Sequence, residues 1–497
     1  MLRKIRIILA TIFFAGVTLL FLDFTGTLHA WLGWMAKVQF LPAVLAMNFA
    51  VVAVLLLLTL LLGRVYCSVI CPLGIMQDII SWLHGKTKKK NRFRFSYSPA
   101  KKWLRYAVLA IFVLGLVLGA HSIAVIIAPY SAYGRIAGNL FAPVYQWGNN
   151  FFAWIAERAG SYAFYSVDVW IKSVSTFIIA AVTFIIIAVL AWKHGRTWCN
   201  TICPVGTFLG FFSRFSVFAP VIDTDKCRNC GLCGKQCKAS CINMKEHQID
   251  YSRCVACMDC IDTCKDGAIS FARRKCSTKP ASEAKGQTDT GRRAFIVSTA
   301  IAGSAVAAKA QEMKVDGGLT DISRAEKPVR QTPLVPAGSL SLKNFTNHCT
   351  SCQLCVSVCP NQVLRPSTSL MTFMQPEMSY ERGYCRPECT RCSDICPAGA
   401  IHPISIEEKS SIQIGHAVVN LDICVVNTDE VSCGNCARHC PAGAIRLVRK
   451  NPDDPKSLMI PAVNEERCIG CGACENLCPA RPLTAIHVEG HEVHKTI

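Results

Sequence analysis

The residues best placed to do chemistry in this chain are cysteines, and they come in fours. Cys227, Cys230, Cys233 and Cys237 stand two, two and three residues apart, and Cys254, Cys257, Cys260 and Cys264 repeat that spacing. Four further groups follow: Cys349, Cys352, Cys355 and Cys359; Cys385, Cys389, Cys392 and Cys396; Cys424, Cys433, Cys436 and Cys440; Cys468, Cys471, Cys474 and Cys478. Three thiolates at this spacing wrap one face of a cuboidal iron–sulfur cluster, each on its own iron. The fourth iron takes a cysteine supplied from elsewhere in the chain. Zinc sites usually use CxxC pairs instead. A disulfide framework is disfavoured too, because neighbours this close cannot all pair without strain. The expectation is six [4Fe–4S] clusters on 24 of the 30 cysteines.

In a two-cluster unit the remote ligand is the last cysteine of the other motif. That assigns Cys264 to Cys227, Cys230 and Cys233, and Cys237 to Cys254, Cys257 and Cys260, with Cys241 a close competitor for the Cys237 role. In the second set, Pro360, Pro397, Pro441 and Pro479 follow the last cysteines and mark the turn away from each cluster. The first gap is widened before Cys389 and before Cys433. β-Prone pairs, Ala400-Ile401 and Ala444-Ile445, follow two motifs as hairpin strands would.

Four cysteines belong to a different pattern. Gly63-Arg-Val-Tyr-Cys67-Ser-Val-Ile-Cys71-Pro-Leu-Gly74 recurs as Gly195-Arg-Thr-Trp-Cys199-Asn-Thr-Ile-Cys203-Pro-Val-Gly206. Cysteines four apart share one face of a helix. Two such repeats about a two-fold axis would gather Cys67, Cys71, Cys199 and Cys203 as an additional metal centre or a redox-active dithiol, with plain packing as the alternative. Cys276 lies in a linker and reads as a bystander thiol.

The elements that position these groups are of two kinds. Half of the residues are hydrophobic (51%) and only 17% are charged, which implies membrane segments joined to polar domains. Four apolar stretches, near 5–22, 43–62, 103–127 and 174–192, suit membrane helices. Arg3, Lys4 and Arg6 precede the first, and eight basic residues lie between Lys86 and Lys102. The positive-inside rule then puts the N-terminus, that loop and the residues after Trp192 in the cytoplasm, with 129–172 on the other face as short interfacial helices. The net charge of +20 is spent largely on topology, which argues against nucleic acid as a partner. Arg292-Arg293-Ala-Phe-Ile opens a short, weakly apolar stretch that resembles a twin-arginine export signal, with Ala308-Lys-Ala310 as a candidate cleavage site. That route carries folded cargo, as a domain loaded with clusters in the cytoplasm requires.

The expected fold is mixed: an α-helical membrane domain of four helices with two CxxxCP repeats (1–212), and two α+β ferredoxin-like modules. The first module (213–275) holds two clusters and faces the cytoplasm. A linker with the internal signal or anchor spans 276–343, and a four-cluster module on the periplasmic side spans 344–497. Asp23, His29 and His121 are polar groups near the span ends and are candidates to take protons from a quinol.

On these motifs the chain resembles two subunits of periplasmic nitrate reductase systems joined end to end. Residues 1–275 are similar to the NapH type, a membrane iron–sulfur quinol dehydrogenase, and residues 290–497 to the four-cluster NapG type. The resemblance implies oxidation of a quinol from the pool in a bacterial inner membrane and delivery of electrons to a periplasmic cytochrome c or terminal reductase. It also implies that the first and last motifs of the four-cluster module pair, as do the second and third, so that Cys478 completes the Cys349 set and Cys440 the Cys385 set. Lys238 and Lys265 depart from the pattern, standing where many ferredoxins have proline. The alternatives are a polyferredoxin that assists maturation of a respiratory metalloenzyme, and a cytoplasm-facing electron hub served by a soluble ferredoxin.

Overall fold

The computed structural model describes residues 1–87, 95–274, 315–316, 320–321, 325–370 and 372–497. The twin-arginine motif, Ala308–Ala310 and Cys276 lie outside the described residues. The N-terminal part is helical, and its longer helices are α1 (Leu2–Leu22), α2 (Phe49–Leu62), helix Pro72–Thr87, α3 (Lys102–Val117), helix Ala142–Arg158 and α4 (Val174–His194). Helices α1 and α4, of 21 residues each, are long and apolar enough to cross a bilayer, and α2 is a shorter apolar helix. At 1.5 Å per residue, 21 residues span about 30 Å, the thickness of the hydrocarbon layer. Their outward faces are apolar, as lipid-facing surfaces are: Ile8 and Ile12 on α1, Val54 and Leu57 on α2, Ile185 and Val189 on α4 are all exposed.

Two of the expected spans are interrupted. The stretch 43–62 breaks at Met47, whose φ is 52°, and Asn48 restarts it as N-cap by accepting a hydrogen bond from the Val51 amide. The stretch 103–127 stops at Gly119, in the left-handed region at φ 78°, before the short helix His121–Ile126. Residues 129–136 differ further from expectation. Helix Pro129–Ile136 does not lie in the interface; it is buried along its whole length and packs against α4 and helix Pro72–Thr87. Its aromatic content reflects a core element.

Each CxxxCP repeat is a helix–turn–helix. α2 and α4 end at Gly63 (φ 76°) and Gly195 (φ 66°), followed by Arg64 and Arg196. Short helices Tyr66–Val69 and Thr197–Thr201 carry the first cysteine of each pair, and helices Pro72–Thr87 and Pro204–Ser213 begin just after the second. Proline at the first position of a helix ends one element and starts the next. Cys67 and Cys71 therefore do not share one helix face, and neither do Cys199 and Cys203.

In the two-cluster module, β1 (Phe218–Ile222) pairs antiparallel with β2 (Ile269–Arg273), Phe218 opposite Arg273, and closes the unit. In the C-terminal module, β3 (Ile412–Val419) pairs with β6 (Ile486–Thr496), and β4 (Ile445–Arg449) with β5 (Met459–Val463). The strand expected at Ala444-Ile445 thus forms at Ile445, whereas Ala400 and Ile401 are buried without strand pairing.

The modules engage opposite ends of α1. At its start, Arg3 pairs with Asp259 of the two-cluster module at 2.8 Å. Beyond its end, the Thr25 carbonyl accepts from Arg391 Nη1 at 3.1 Å. Nearby, Asn139 donates to Gln353 Oε1 at 3.0 Å and Lys172 to the Val356 carbonyl at 3.0 Å. One hydrophobic core runs through the helical part and both docking surfaces, taking in Cys237, Cys241, Cys352 and Ile395; a second fills the rest of the C-terminal module.

Candidate iron–sulfur sites

Local backbone explains how the regular motifs curl. The residues on either side of the middle cysteine are left-handed in four of them: Asn229 and Gly231, Ala256 and Met258, Ser351 and Gln353, Gly470 and Gly472. Alternating torsions of this kind turn successive N–H groups into a concavity suited to an anion, and bring three sulfurs to one side. Five of these eight positions carry residues other than glycine, each at a cost of order 1 kcal/mol. The motifs with widened gaps, at Cys385 and Cys424, curl by other means.

The sulfurs group as follows. Cys264, Cys227 and Cys230 all act electrostatically on Cys233. Cys237 acts on Cys254, Cys257 and Cys260, and these four line one cavity together with Cys241. Both pairings in this module are those expected. Cys241 lies 3.5 Å from Cys237 and lines the same cavity, so it stays the neighbour that competes for the Cys237 position.

The C-terminal module departs from what the resemblance implied. Cys396, not Cys478, lies with Cys349, Cys352 and Cys355. Cys359, not Cys440, shares a cavity with Cys385, Cys389 and Cys392. Cys478 closes the cavity of Cys424, Cys433 and Cys436, and Cys440 that of Cys468, Cys471 and Cys474. Adjacent motifs exchange their last cysteines, so each half is a local unit of two cysteine sets. The halves meet where the Cys385 amide donates to the Cys471 carbonyl at 2.9 Å. Burial pushes Cys352 and Cys436 up to about 11 and Cys471 up to about 12, a cost that iron offsets by replacing the proton. None of the described cysteines is disulfide-bonded. Among the described residues no three ligands converge tightly enough for a single ion; the thiols ring cavities, which fits polynuclear centres whose irons each take one thiolate.

Lys238, the departure from proline, has a structural role. Its ammonium bridges Asp78 at 3.1 Å and Asp259 at 2.9 Å. Burial alone would lower its pKa, but the two carboxylates raise it. Asp78 also binds Arg196 at 2.6 Å and Arg6 at 3.1 Å, so one network joins α1, the second repeat and the two-cluster module. Lys265 is exposed.

The structure gathers Cys67, Cys71, Cys199 and Cys203. Each is buried, and Cys203 senses the charge of the other three. The repeats brace each other: Arg64 donates to the Cys199 carbonyl at 3.2 Å and Arg196 to the Cys67 carbonyl at 2.6 Å. Gly74 and Gly206 sit where a Cβ would come within 2.3 Å of those carbonyls. Tyr130, Tyr133 and Arg135, all fully buried, escaped the sequence reading because an aromatic, weakly charged segment looks interfacial.

Of the quinol candidates, Asp23 and His29 form a pair, Oδ2 to Nδ1 at 2.9 Å. Burial would raise Asp23, but donors from Thr25, Leu28 and Gly26 and the charge of His29 lower it. Burial lowers His29 more than its Asp23 partner raises it, and the ring also interacts with the Leu20 backbone. No described hydrogen bond or ion pair joins His121 to them.

Comparison with known proteins agrees with this assignment of chemistry. A family described as "4Fe-4S binding domain" matches residues 44–91 and 176–220, the two CxxxCP repeats. A family described as "4Fe-4S dicluster domain" matches residues 348–426 and 431–481. The methylamine utilization ferredoxin-type protein MauM of Paracoccus denitrificans is 30% identical over 38% of this chain and 85% of its own length. The ferredoxin-type protein NapH of Escherichia coli is 26% identical over 47% of this chain and 70% of its own. The putative electron transport protein YccM of Escherichia coli is 24% identical over 47% and 58%. The chain spans 42% and 64% of the length of two other curated relatives it matches. No solved structure matches. The chain thus belongs to the ferredoxin-type family represented by MauM and is a NapH-like polyferredoxin with 4Fe-4S domains.

Proposed function

We propose that the chain carries electrons from a membrane quinol to an acceptor on the far face of the membrane, a cytochrome c or a terminal reductase. Residues 1–212 are then a four-span membrane domain, 213–275 a cytoplasmic two-cluster module, 276–343 the linker, and 344–497 a periplasmic four-cluster module of NapG type. The observation that carries this reading is the engagement of the two modules with opposite ends of α1, about 30 Å apart. The 24 quartet cysteines would hold six [4Fe–4S] clusters, which supply one-electron chemistry when bound. The protein's own part is to place the thiolates, exclude water from them and manage the quinol's protons. His29, whose Nδ1 is held by Asp23, is the group to take a proton, at the ring nitrogen Asp23 leaves free.

The test is reduction of the anaerobically purified, detergent-solubilised protein by a quinol analogue. Iron of at least about 24 per chain, as six four-iron clusters require, and bleaching of cluster absorbance at catalytic rates support the reading. Iron at that level without reduction by quinol would favour the maturation-factor alternative. The His29→Leu variant should keep its iron and lose quinol oxidation by roughly 100-fold, the scale of one general base.

A further inference from the structure

We infer that Cys67, Cys71, Cys199 and Cys203 together hold one further iron–sulfur centre, shared by the two repeats and lying in the core between the two ferredoxin-like modules. The inference rests on the electron-transfer reading above and assigns the relay that joins its two ends.

The four sulfurs are treated alike, and as ligands are. Three accept an N–H donor: Cys67 from Arg64 Nη2 at 3.7 Å, Cys199 from Gln77 Nε2 at 3.2 Å, and Cys203 from the Gly206 amide at 3.3 Å. At Cys71 the favourable backbone group is Gly74, the counterpart of Gly206 in the other repeat. A thiol that merely fills space has no use for a dedicated donor, whereas donors to ligating sulfurs stabilise the negative charge of a reduced cluster.

Charge leads to the same conclusion. Arg64 is fully buried, and its hydrogen-bond partners are Asn200 Oδ1, the Ser252 and Cys199 carbonyls and the Cys67 sulfur. No carboxylate pairs with it among the described residues, and its Nε is unpartnered. A guanidinium buried at that cost needs an anion, and the groups that face it are the thiols. Arg196, its counterpart in the second repeat, already has Asp78.

Position supplies the role. On one side the Lys238 carbonyl accepts from the Arg196 amide at 2.8 Å, and the Ala239 carbonyl accepts from Asn200 Nδ2 at 3.2 Å. These contacts set the second repeat against the residues that follow Cys237. On the other side Tyr66, beside Cys67, Cys71 and Cys203, senses those thiols, and Tyr130 senses Tyr66 together with Cys352 and Cys396. The backbones close up there: a Cβ on Gly134 would stand 2.3 Å from the Cys352 carbonyl. A centre at the four thiols therefore has the Cys254 cage on one flank and the Cys349 cage on the other.

The test compares full-length wild type with the double variant Cys67→Ser, Cys203→Ser, both purified anaerobically, by iron and acid-labile sulfide analysis and EPR. The difference should be two to four irons per chain, one cluster's worth (about 2–4), with the loss of one EPR signal only. This difference does not depend on filling of the six quartets, so a wild-type count far below six clusters' worth would sink the earlier reading and not this one. Equal iron in the two proteins would overturn the inference, as would zinc in place of the lost iron or a Cys67–Cys199 cystine in denatured wild type. Should the double variant fail to fold, Gln77→Leu decides. Loss of that donor should shift the midpoint potential of one signal downward and no other, and unchanged potentials throughout would refute the assignment.

Discussion

At the scale of single residues, the places where this chain departs from a ferredoxin pattern are the informative ones. Lys238 replaces a proline because two buried carboxylates, Asp78 and Asp259, converge on it. Lys238→Met should destabilise the protein by about 2–3 kcal/mol, below the usual cost of a broken buried pair because Arg196, Arg6 and Arg3 remain. Thermal loss of cluster absorbance measures it. A second prediction concerns His494, which burial pushes down to about 4. Its neutral form is favoured in the fold, so its contribution is complete above the unfolded value of about 6.5 and declines as pH falls toward about 4. Between pH 7 and pH 5 the loss is about 2 kcal/mol. His494→Asn should flatten that part of the stability profile, and an unchanged slope would refute the assignment. The cysteine motifs were legible in the sequence because cluster geometry dictates the spacing. The approach of Cys241 to 3.5 Å from Cys237 was legible only as a competition between the two for one position.

At the scale of elements, glycines set how closely the helices approach. Gly74 and Gly206 leave room for the Cys67 and Cys199 carbonyls of their own repeats and for the guanidinium, Arg196 or Arg64, that reaches in from the other repeat. Gly74→Ala or Gly206→Ala should cost about 1–3 kcal/mol through overpacking against rigid backbone. The effect should appear as a lowered unfolding midpoint, with the six quartets still loaded. The helix breaks at Met47 and Gly119 were hidden in continuous apolar runs, because hydropathy records composition and not the capping that ends a turn. The burial of Pro129–Ile136 was hidden for a related reason: tyrosines suit both an interface and a core, and only packing partners decide between them.

At the scale of the whole molecule, the arrangement of modules makes a topological prediction. Alkaline phosphatase fused after Ile497 should be active in cells, and fused within the basic loop near Lys90 should be inactive. Lys substitutions at Arg292 and Arg293 should abolish activity of the first fusion; full activity there would point to the all-cytoplasmic hub instead. Docking of the four-cluster module depends on the close approach at Gly134, where a side chain would strike the Cys352 carbonyl. Gly134→Val should slow reduction of the C-terminal clusters by quinol while leaving those of the two-cluster module unaffected.

The sequence by itself marked cysteines whose spacing suits iron–sulfur clusters and apolar helices that accompany them, because ligand spacing and hydrophobicity are local properties of the chain. Only the tertiary structure decided which last cysteine completes which set in the C-terminal module, and that the two CxxxCP repeats meet. Both are contacts between segments far apart in sequence, chosen by which backbones can approach and which buried charges find partners.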